Sequence, residues 1–292
     1  MGVSRAVVLV GIAGLGLASD MTRAESHHFR TSDGVQLHYE ERGQERTEGR
    51  RAPIVFVPGW SMPAAIWEPQ LAHFAQQHRV VALDPRGQGK SAIAPAGYSP
   101  ERRARDIAEL IVAAGLQRPV IVGWSLGVLE TLAYVEAQGD KAHAGLVLVD
   151  NSVGEEPAPR GGKGPSFTSR LRTDREQTVR AFVRSMYRSP QTEAYLQSIE
   201  QAALRTPLEA SVALLSWTWP RTRWRDALYA TSKPVLYVVT PAFAAQAASV
   251  ARRRPDIRTE VFAQAGHALF VDEAQRFNAV LDAFLETISV AD

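Results

Sequence analysis

The chain contains no cysteine among its 292 residues, and this absence removes several kinds of site at once. Without cysteine there is no disulfide, no thiolate nucleophile, no thiolate metal ligand and no cysteine for lipid attachment. The sequence also lacks a His-Glu-x-x-His string, and no Gly-x-Gly-x-x-Gly segment follows a strand pattern. These are motifs that hold zinc and dinucleotides in many enzymes. We therefore predict neither a metal ion nor a cofactor.

An excess of one charge sign is also missing. Lys and Arg together number 33, and Asp and Glu together number 31. A nucleic-acid-binding surface needs a concentration of positive charge, so we predict no nucleic-acid partner. Hydrophobic residues make up 45% and charged residues 22% of the chain, as is typical of a soluble globular protein. Nothing in the composition indicates an oligomeric state.

Long apolar runs are scarce, and the one that occurs lies at the N-terminus. Residues 6–17 are apolar, follow Arg5 and precede small and polar residues. This layout is typical of a secretory signal peptide, and the run is shorter than the roughly 20 residues of a membrane span. We predict that residues 1–24 are a signal peptide cleaved near Ala18 or Ala24. The mature protein is then periplasmic or secreted, without stable membrane insertion. An uncleaved anchor is the alternative.

Short apolar runs alternate with helical patterns along most of the remaining chain. Runs that are apolar on both faces are typical of buried parallel strands. Their alternation with helices favours an α/β fold class with a mainly parallel central sheet flanked by helices. The predicted strands are residues 28–31, 35–40, 53–57, 80–83, 119–122, 145–149, 234–239 and 258–262, and the predicted helices are residues 64–77, 100–114, 126–137 and 272–288.

One interval, residues 151–232, interrupts this alternation. It has no strand pattern but several helical stretches, and it is too long to be a simple connection in a compact domain. We interpret it as a helical lid inserted after the sixth strand. The predicted division is therefore residues 25–150 for the first part of the core, 151–232 for the lid and 233–292 for the second part of the core.

A Gly-x-Ser-x-Gly segment, formed by Gly123, Ser125 and Gly127, lies directly between a predicted strand and a predicted helix. A nucleophile on such a sharp turn needs small residues two positions before and after it, so that strand and helix can pack closely. The helix N-terminus would then direct partial positive charge at the reacting group. We predict that Ser125 is a nucleophile; a buried turn serine is the alternative.

From about residue 28 onward the chain resembles the α/β-hydrolase superfamily, in particular its lidded esterase, haloperoxidase-like and dehalogenase-like members. The resemblance is carried by residues 57–60 (Val-Pro-Gly-Trp), by residues 84–91 (Asp-Pro-Arg-Gly-Gln-Gly-Lys-Ser) and by the Gly266-His267 pair. It implies an oxyanion hole built from the backbone N–H groups of Leu126 and Trp60. Pro58 stands where the family usually has histidine. Within residues 84–91 we expect Asp84 and Arg86 to form a structural turn.

The general base is predicted to be His267. Of seven histidines, it alone lies in a loop beside glycine after the last predicted strand. The order serine, acid, histidine along the chain is the order of this fold's catalytic triad. The other six fall at positions where solvated or packing roles suffice.

The acid of the triad is harder to place. Most of the family carries it after the strand at residues 234–239, where this sequence reads Thr-Pro-Ala-Phe with no carboxylate. Asp150 ends the preceding strand, a position that some lidded relatives use, so we predict that it orients His267. The alternative for Asp150 is a turn or lid-anchoring role. We expect Asp272 and Glu273 to cap the last helix.

Together these residues predict a carboxylesterase-like serine hydrolase. Its substrate would be a small molecule with an apolar carboxylester or lactone, cleaved through an acyl-enzyme, with Trp60 and Trp124 as substrate-binding candidates. Two alternatives stay open. One is a different reaction on the same triad, either C–C bond hydrolysis or cofactor-free perhydrolase or haloperoxidase chemistry. The other is a non-catalytic receptor that binds a ligand in the same fold.

Overall fold

The computed structural model describes residues 24–43, 51–158 and 165–288. Apart from residue 24, the predicted signal peptide lies outside these residues. Within the described ranges, no helix is both long and apolar enough to span a membrane.

A single sheet of eight strands forms the centre of the molecule, in the order β1-β2-β4-β3-β5-β6-β7-β8. The first hairpin and the pairing of β2 with β4 are antiparallel, and all other pairs are parallel. Every residue of β3 to β7 is buried, as expected of strands covered on both faces. The strands are β1 (Glu25–Arg30), β2 (Gln36–Arg42), β3 (Ile54–Val57), β4 (Val80–Asp84), β5 (Val120–Trp124), β6 (Gly145–Val149), β7 (Val235–Val239) and β8 (Arg258–Val261).

Helices cover both faces of the sheet, which confirms the predicted α/β class. They are α1 (Glu68–Phe74), α2 (Pro100–Ala113), α3 (Leu126–Gln138), α4 (Phe167–Thr173), α5 (Arg175–Ser185), α6 (Glu193–Arg205), α7 (Leu208–Leu214), α8 (Arg221–Ala230), α9 (Ala244–Arg253), α10 (Leu269–Asp272) and α11 (Ala274–Leu285). Alternate residues of each buried strand feed two separate cores. One core contains apolar residues of α1 and α11, and the other contains those of α2, α3, α8 and α9.

Two predicted helices are divided in the structure. Residues 64–77 form a 3₁₀ turn, Ala64–Trp67, followed by α1, which starts afresh because Pro69 near its beginning has no N–H to donate. The predicted terminal helix, residues 272–288, corresponds to α11; its first residue, Asp272, is the last residue of α10, and Glu273 between the two helices is non-helical.

In its described part, the interval 151–232 contains five helices and no strand. Helices α4 to α7 pack on one another and join the same core as Trp60. Helix α8 differs, since it packs on α3 and inserts Trp224 and Leu228 into the core on the opposite face. The last helix of the interval therefore lies in a layer that flanks the sheet.

Candidate active site

Ser125 lies on the turn between β5 and α3, with φ 55° and ψ −121°. This left-handed conformation costs a non-glycine residue on the order of 1–3 kcal/mol. Strand and helix meet closely around it. A Cβ on Gly123 would come within 2.4 Å of the Gly127 carbonyl, and a Cβ on Gly127 within 2.4 Å of the Val57 carbonyl. The packing therefore requires both glycines of the Gly-x-Ser-x-Gly segment.

The His267 ring lies between Ser125 and Asp150. Its Nε2 is 2.9 Å from Ser125 Oγ, and its Nδ1 is 2.7 Å from Asp150 Oδ2. With Nδ1–H donating to the carboxylate, Nε2 is free to accept a proton from the serine hydroxyl. Asp150 is 2% exposed and the His267 side chain 28% exposed. The structure thus brings together the three residues that the sequence singled out, with the carboxylate at the buried end.

Asp150 reaches His267 from the end of β6 because Thr240, at the end of β7, holds its other oxygen. The Thr240 backbone N–H and hydroxyl donate to Asp150 Oδ1 at 2.7 and 2.8 Å. Oδ2 is therefore left to face the imidazole. Thr240 stands where the family more often has its carboxylate, and here it positions the carboxylate of the neighbouring strand. Beyond the missing acid, no feature of the sequence indicated this role.

Two backbone N–H groups lie next to Ser125. One belongs to Leu126, the first residue of α3. The other belongs to Trp60 on the loop after β3. This loop lies close to Ser125, because a Cβ on Gly59 would come within 2.9 Å of the Ser125 Cβ. Within the part of the chain that the structure describes, neither N–H donates to a protein acceptor. An oxyanion formed at Ser125 could accept hydrogen bonds from both, and the dipole of α3 favours negative charge at that end.

The Trp60 side chain ties this loop to the interval 151–232. Its indole is 4% exposed and donates to the Ser211 carbonyl at 2.8 Å. It packs edge-to-face on Phe167 and Phe182, with ring centroids 5.2 and 5.4 Å away. Both phenylalanines are half-buried. An aromatic cluster, formed by Trp60, Phe167 and Phe182, therefore adjoins the loop that carries the Trp60 N–H.

Trp124, the other tryptophan predicted to bind substrate, lies in an environment that does not suit a substrate contact. Its side chain is 1% exposed, and its indole donates to the His267 carbonyl at 2.8 Å. The ring also packs edge-to-face on Phe270. Trp124 thus supports the histidine loop and has almost no surface to offer a substrate.

Two further side chains hold the site together, and sequence reasoning missed both. Asn151 donates its side-chain amide to the Ser125 carbonyl at 2.7 Å. Asp272 accepts the Gly266 N–H at 2.7 Å and also the N–H groups of Arg188 and Ser189, at 2.8 and 3.1 Å. Asp272 was expected to cap the last helix. That expectation is wrong, because its carboxylate joins the histidine loop to the interval 151–232.

A second serine, histidine and aspartate also form a hydrogen-bonded chain. Ser26 Oγ lies 2.6 Å from His38 Nε2, and His38 Nδ1 lies 2.7 Å from Asp84 Oδ2. Ser26, however, is an exposed residue of the edge strand β1, and among the residues that the structure describes no helix begins beside it. Asp84 also accepts the backbone N–H groups of Ala64 and Lys90. This second chain has the function of holding the turn after β4, as expected of Asp84.

Arg86, in the same turn, is fully buried and paired with Asp106 and Asp33. The hydrogen bond from Arg86 holds the pKa of the Asp33 carboxyl well below its usual range. The expected structural role of Arg86 fits these contacts. Among the described residues, no group of His, Cys, Asp and Glu is arranged to hold a metal ion.

Comparison with known proteins gives the family of the chain. Residues 54–280 match the model of a family described as the alpha/beta hydrolase family. The chain belongs to this family.

Among similar proteins, a pimeloyl-[acyl-carrier protein] methyl ester esterase of Aliivibrio salmonicida is 27% identical over 255 residues, covering 82% of this chain and 95% of that protein. A non-heme haloperoxidase of Rhodococcus erythropolis is 35% identical over 119 residues, which are 40% of this chain and 41% of the haloperoxidase. An esterase structure from Exiguobacterium antarcticum matches in fold with a TM-score of 0.76 and 21% identity, covering 89% and 99% of the two chains. Family membership and the esterase relatives identify the chain as a carboxylesterase-like hydrolase.

Proposed function

We propose that the protein is a serine esterase in which Ser125 attacks the substrate, His267 is the general base and Asp150 orients the imidazole. The observation that carries the proposal is the continuous hydrogen-bonded chain from Ser125 Oγ through His267 to Asp150. The Ser125 end of this chain lies beside two backbone N–H groups that have no protein acceptor among the described residues. Nucleophile, base and oxyanion donors are then in place before substrate binds.

The reaction would proceed in two steps. His267 Nε2 takes the hydroxyl proton as Ser125 Oγ bonds to the ester carbonyl carbon, and the Trp60 and Leu126 N–H groups hold the oxyanion. The tetrahedral intermediate collapses, the imidazolium gives its proton to the leaving alcohol, and an acyl-enzyme remains. Water then repeats the sequence on the acyl-enzyme, with His267 first as base and then as acid. The products are an alcohol and a carboxylic acid.

We infer the substrate class from Phe167 and Phe182, the half-buried members of the aromatic cluster, because Trp60 is itself 4% exposed and has little surface to offer a substrate. Apolar walls with a few convergent polar groups favour ligands with an apolar body and one reactive polar bond. We propose an ester or lactone with a small or medium apolar acyl group. The similarity to a protein named as a methyl ester esterase supports an ester bond. We do not carry the acyl group or the acyl-carrier protein in that relative's name over to this protein.

Perhydrolysis is a second candidate, favoured by one specific observation. Proteins named as a non-heme haloperoxidase and as a bifunctional esterase/perhydrolase are 35% and 34% identical over 119 and 124 residues. In this reaction hydrogen peroxide, supplied as a co-substrate, would replace water in the attack on the acyl-enzyme. The products would be a peracid and the free serine hydroxyl.

The lid and the route of export also remain proposals. Helices α4 to α7 join the core around Trp60, which supports a cover over the candidate site. For residues 1–24, the sequence pattern supports a signal peptide; N-terminal sequencing of the exported protein tests it.

The experiment is a panel of p-nitrophenyl esters with graded acyl chains, measured on the wild type, Ser125→Ala and Ser26→Ala. Ser26 is the matched control, because it too lies within hydrogen-bond distance of a histidine paired with an aspartate. We expect Ser125→Ala to abolish hydrolysis and Ser26→Ala to retain it. Tight binding of ligands with no turnover of any ester or lactone would instead favour the receptor. Peracid formation from hydrogen peroxide and a carboxylic acid would identify the perhydrolase.

A further inference from the structure

The Trp60 N–H and the Gly59 carbonyl belong to one peptide group. In a trans peptide these two groups point in opposite directions, so fixing the carbonyl also fixes the N–H. The Gly59 carbonyl accepts from the side-chain amide of Gln88 at 3.0 Å and from the Met62 N–H at 3.2 Å. A rotated peptide would lose both hydrogen bonds and would place its oxygen where a donor is needed. The direction of the Trp60 N–H therefore depends on Gln88.

Gln88 is fully buried, and its side-chain amide is completely engaged. Besides the Gly59 carbonyl, Nε2 donates to the Met62 carbonyl at 2.8 Å. Its Oε1 accepts from the Arg103 guanidinium at 3.2 Å. These partners fix the orientation of the amide, because a reversed amide would place its oxygen against two carbonyls and its NH₂ against a cation. Gln88 therefore presents two donors to the loop after β3 in only one way.

Arg103 is in turn held from α3, the helix that follows Ser125. Its guanidinium pairs with Glu130 of α3 at 2.7 Å, both side chains being 1% exposed. It also donates to the Arg86 carbonyl at 3.2 Å. Burial raises the pKa of Glu130 to about 7 although Arg103 lies beside it. Gln88, Arg103 and Glu130, together called the Gln88 brace, thus connect α3, which carries the Leu126 N–H, to the peptide that carries the second N–H.

Apart from the Met62 N–H, the loop itself offers the Gly59 carbonyl little polar support. Pro58, which precedes Gly59, has no N–H and no polar side-chain atom, although the family resemblance leads one to expect histidine there. Ser61 has a left-handed backbone with φ 58°, and its buried hydroxyl has no hydrogen-bond partner among the described residues. An unusual backbone of this kind persists only where its surroundings fix it. The Gln88 brace, from the turn after β4, supplies this support.

We propose that Gln88 is a positioning residue of the esterase reaction, which aims the Trp60 N–H at the oxyanion by holding the Gly59 carbonyl on the opposite side of the same peptide. The inference rests on the proposed function of Ser125. Hydrogen bonding at the carbonyl also polarises the N–H of that peptide and makes it a stronger donor. The brace acts on the transition state, because the oxyanion exists only after attack.

The test is Gln88→Met, which keeps the side-chain length and removes both donors and the acceptor. Removing a whole oxyanion-hole donor costs about 10²–10³ in kcat. A misdirected donor loses part of that, so we expect kcat for p-nitrophenyl butyrate to fall roughly tenfold to a hundredfold. KM should change less than about threefold, because ground-state contacts are untouched. Gln88→Asn, which retains the amide but is too short to reach both carbonyls, should fall between Gln88→Met and the wild type.

Gln246→Met is the matched control. Gln246 is also buried, donates to a backbone carbonyl, that of Pro157, at 2.9 Å, and accepts from the Ser152 hydroxyl at 3.1 Å. It should lose comparable thermal stability yet keep kcat. If Gln88→Met and Gln88→Asn both keep kcat within about twofold of the wild type, the proposal is overturned.

Crystal structures of the Gln88 variants give a test that does not depend on turnover. We expect the Gly59–Trp60 peptide to be rotated or displaced in Gln88→Met, and in Gln88→Asn if only that variant folds. A peptide in its original orientation would overturn the proposal. A wild type that hydrolyses none of the esters contradicts the proposed function alone, and the crystal structures then decide on the brace.

Discussion

The exchange Asp150→Asn tests the triad acid with the least change in shape. Thr240 donates to Asp150 Oδ1 through its backbone N–H and its hydroxyl. An asparagine at this position would therefore turn its carbonyl oxygen towards Thr240 and its NH₂ towards His267. The NH₂ needs an acceptor, so Nδ1 of His267 would become unprotonated and Nε2 would carry the hydrogen. An imidazole in that tautomer cannot take the proton of Ser125.

The magnitude follows from this change of tautomer. The same exchange in a serine protease triad, with geometry intact, lowers kcat about 10⁴-fold, which corresponds to roughly 5 kcal/mol of transition-state stabilisation. Because Thr240 enforces the orientation here, we expect a loss of the same order, with KM little changed. The assay is steady-state hydrolysis of a p-nitrophenyl ester, with circular dichroism to show that the variant is folded.

Thr240→Val is the matched control for this prediction. It removes the hydroxyl donor but keeps the backbone N–H, so Asp150 retains one of the two hydrogen bonds to Oδ1 and stays close to its place. We expect kcat to fall less than about tenfold, as for the loss of one of several hydrogen bonds. If folded Asp150→Asn retains more than about a tenth of the wild-type kcat, Asp150 is not the acid of a triad.

Two further predictions concern the surroundings of the site, and a third concerns the stability of the fold. Gly127→Ala forces a Cβ against the β3 backbone and should lose activity more than about tenfold and stability by roughly 1–3 kcal/mol. Gly115→Ala has nothing within 4 Å of its Cβ and is strained only by its φ of 63°, so it should lose stability but keep kcat. Asp272→Ala removes the acceptor of three N–H groups, so limited proteolysis should cut faster near residue 188; an unchanged cleavage rate would contradict its anchoring role. Burial lowers the pKa of His143 from 6.5 to about 4 in the folded protein. As pH falls from 6.5 to 4, His143 is therefore protonated in the unfolded chain before it is protonated in the folded protein. The free energy of unfolding decreases across that window by up to about 3 kcal/mol. Urea unfolding should show a smaller loss in His143→Gln than in the wild type, and equal losses would refute the assignment.

Much of the fold was predictable because its strands are short, apolar on both faces and separated by helical periods. The sites where prediction failed have specific causes. A single proline, Pro69, divides the predicted helix at residues 64–77. The carboxylate of Asp272 accepts hydrogen bonds from three N–H groups and does not cap α11. Such choices depend on groups that are distant along the chain, and local patterns do not report them.

The candidate site shows the same division. Gly123, Ser125 and Gly127 are fixed by local strand-to-helix geometry, so the sequence pattern suffices to locate them. Thr240 and Gln88 act through hydrogen bonds to residues on neighbouring strands and loops. A threonine in place of an acid and a glutamine within a turn have many ordinary explanations in a sequence. Their roles become visible only when the partners are seen.

The most direct test of the central claim is covalent labelling of the wild type with a p-nitrophenyl phosphonate ester, followed by peptide mass spectrometry. The phosphonyl group mimics the tetrahedral intermediate and bonds to an activated serine. We predict one adduct per chain, on Ser125, with release of one equivalent of p-nitrophenol and loss of esterase activity. An adduct on Ser26 or on another residue, or active enzyme that resists labelling, would contradict the account.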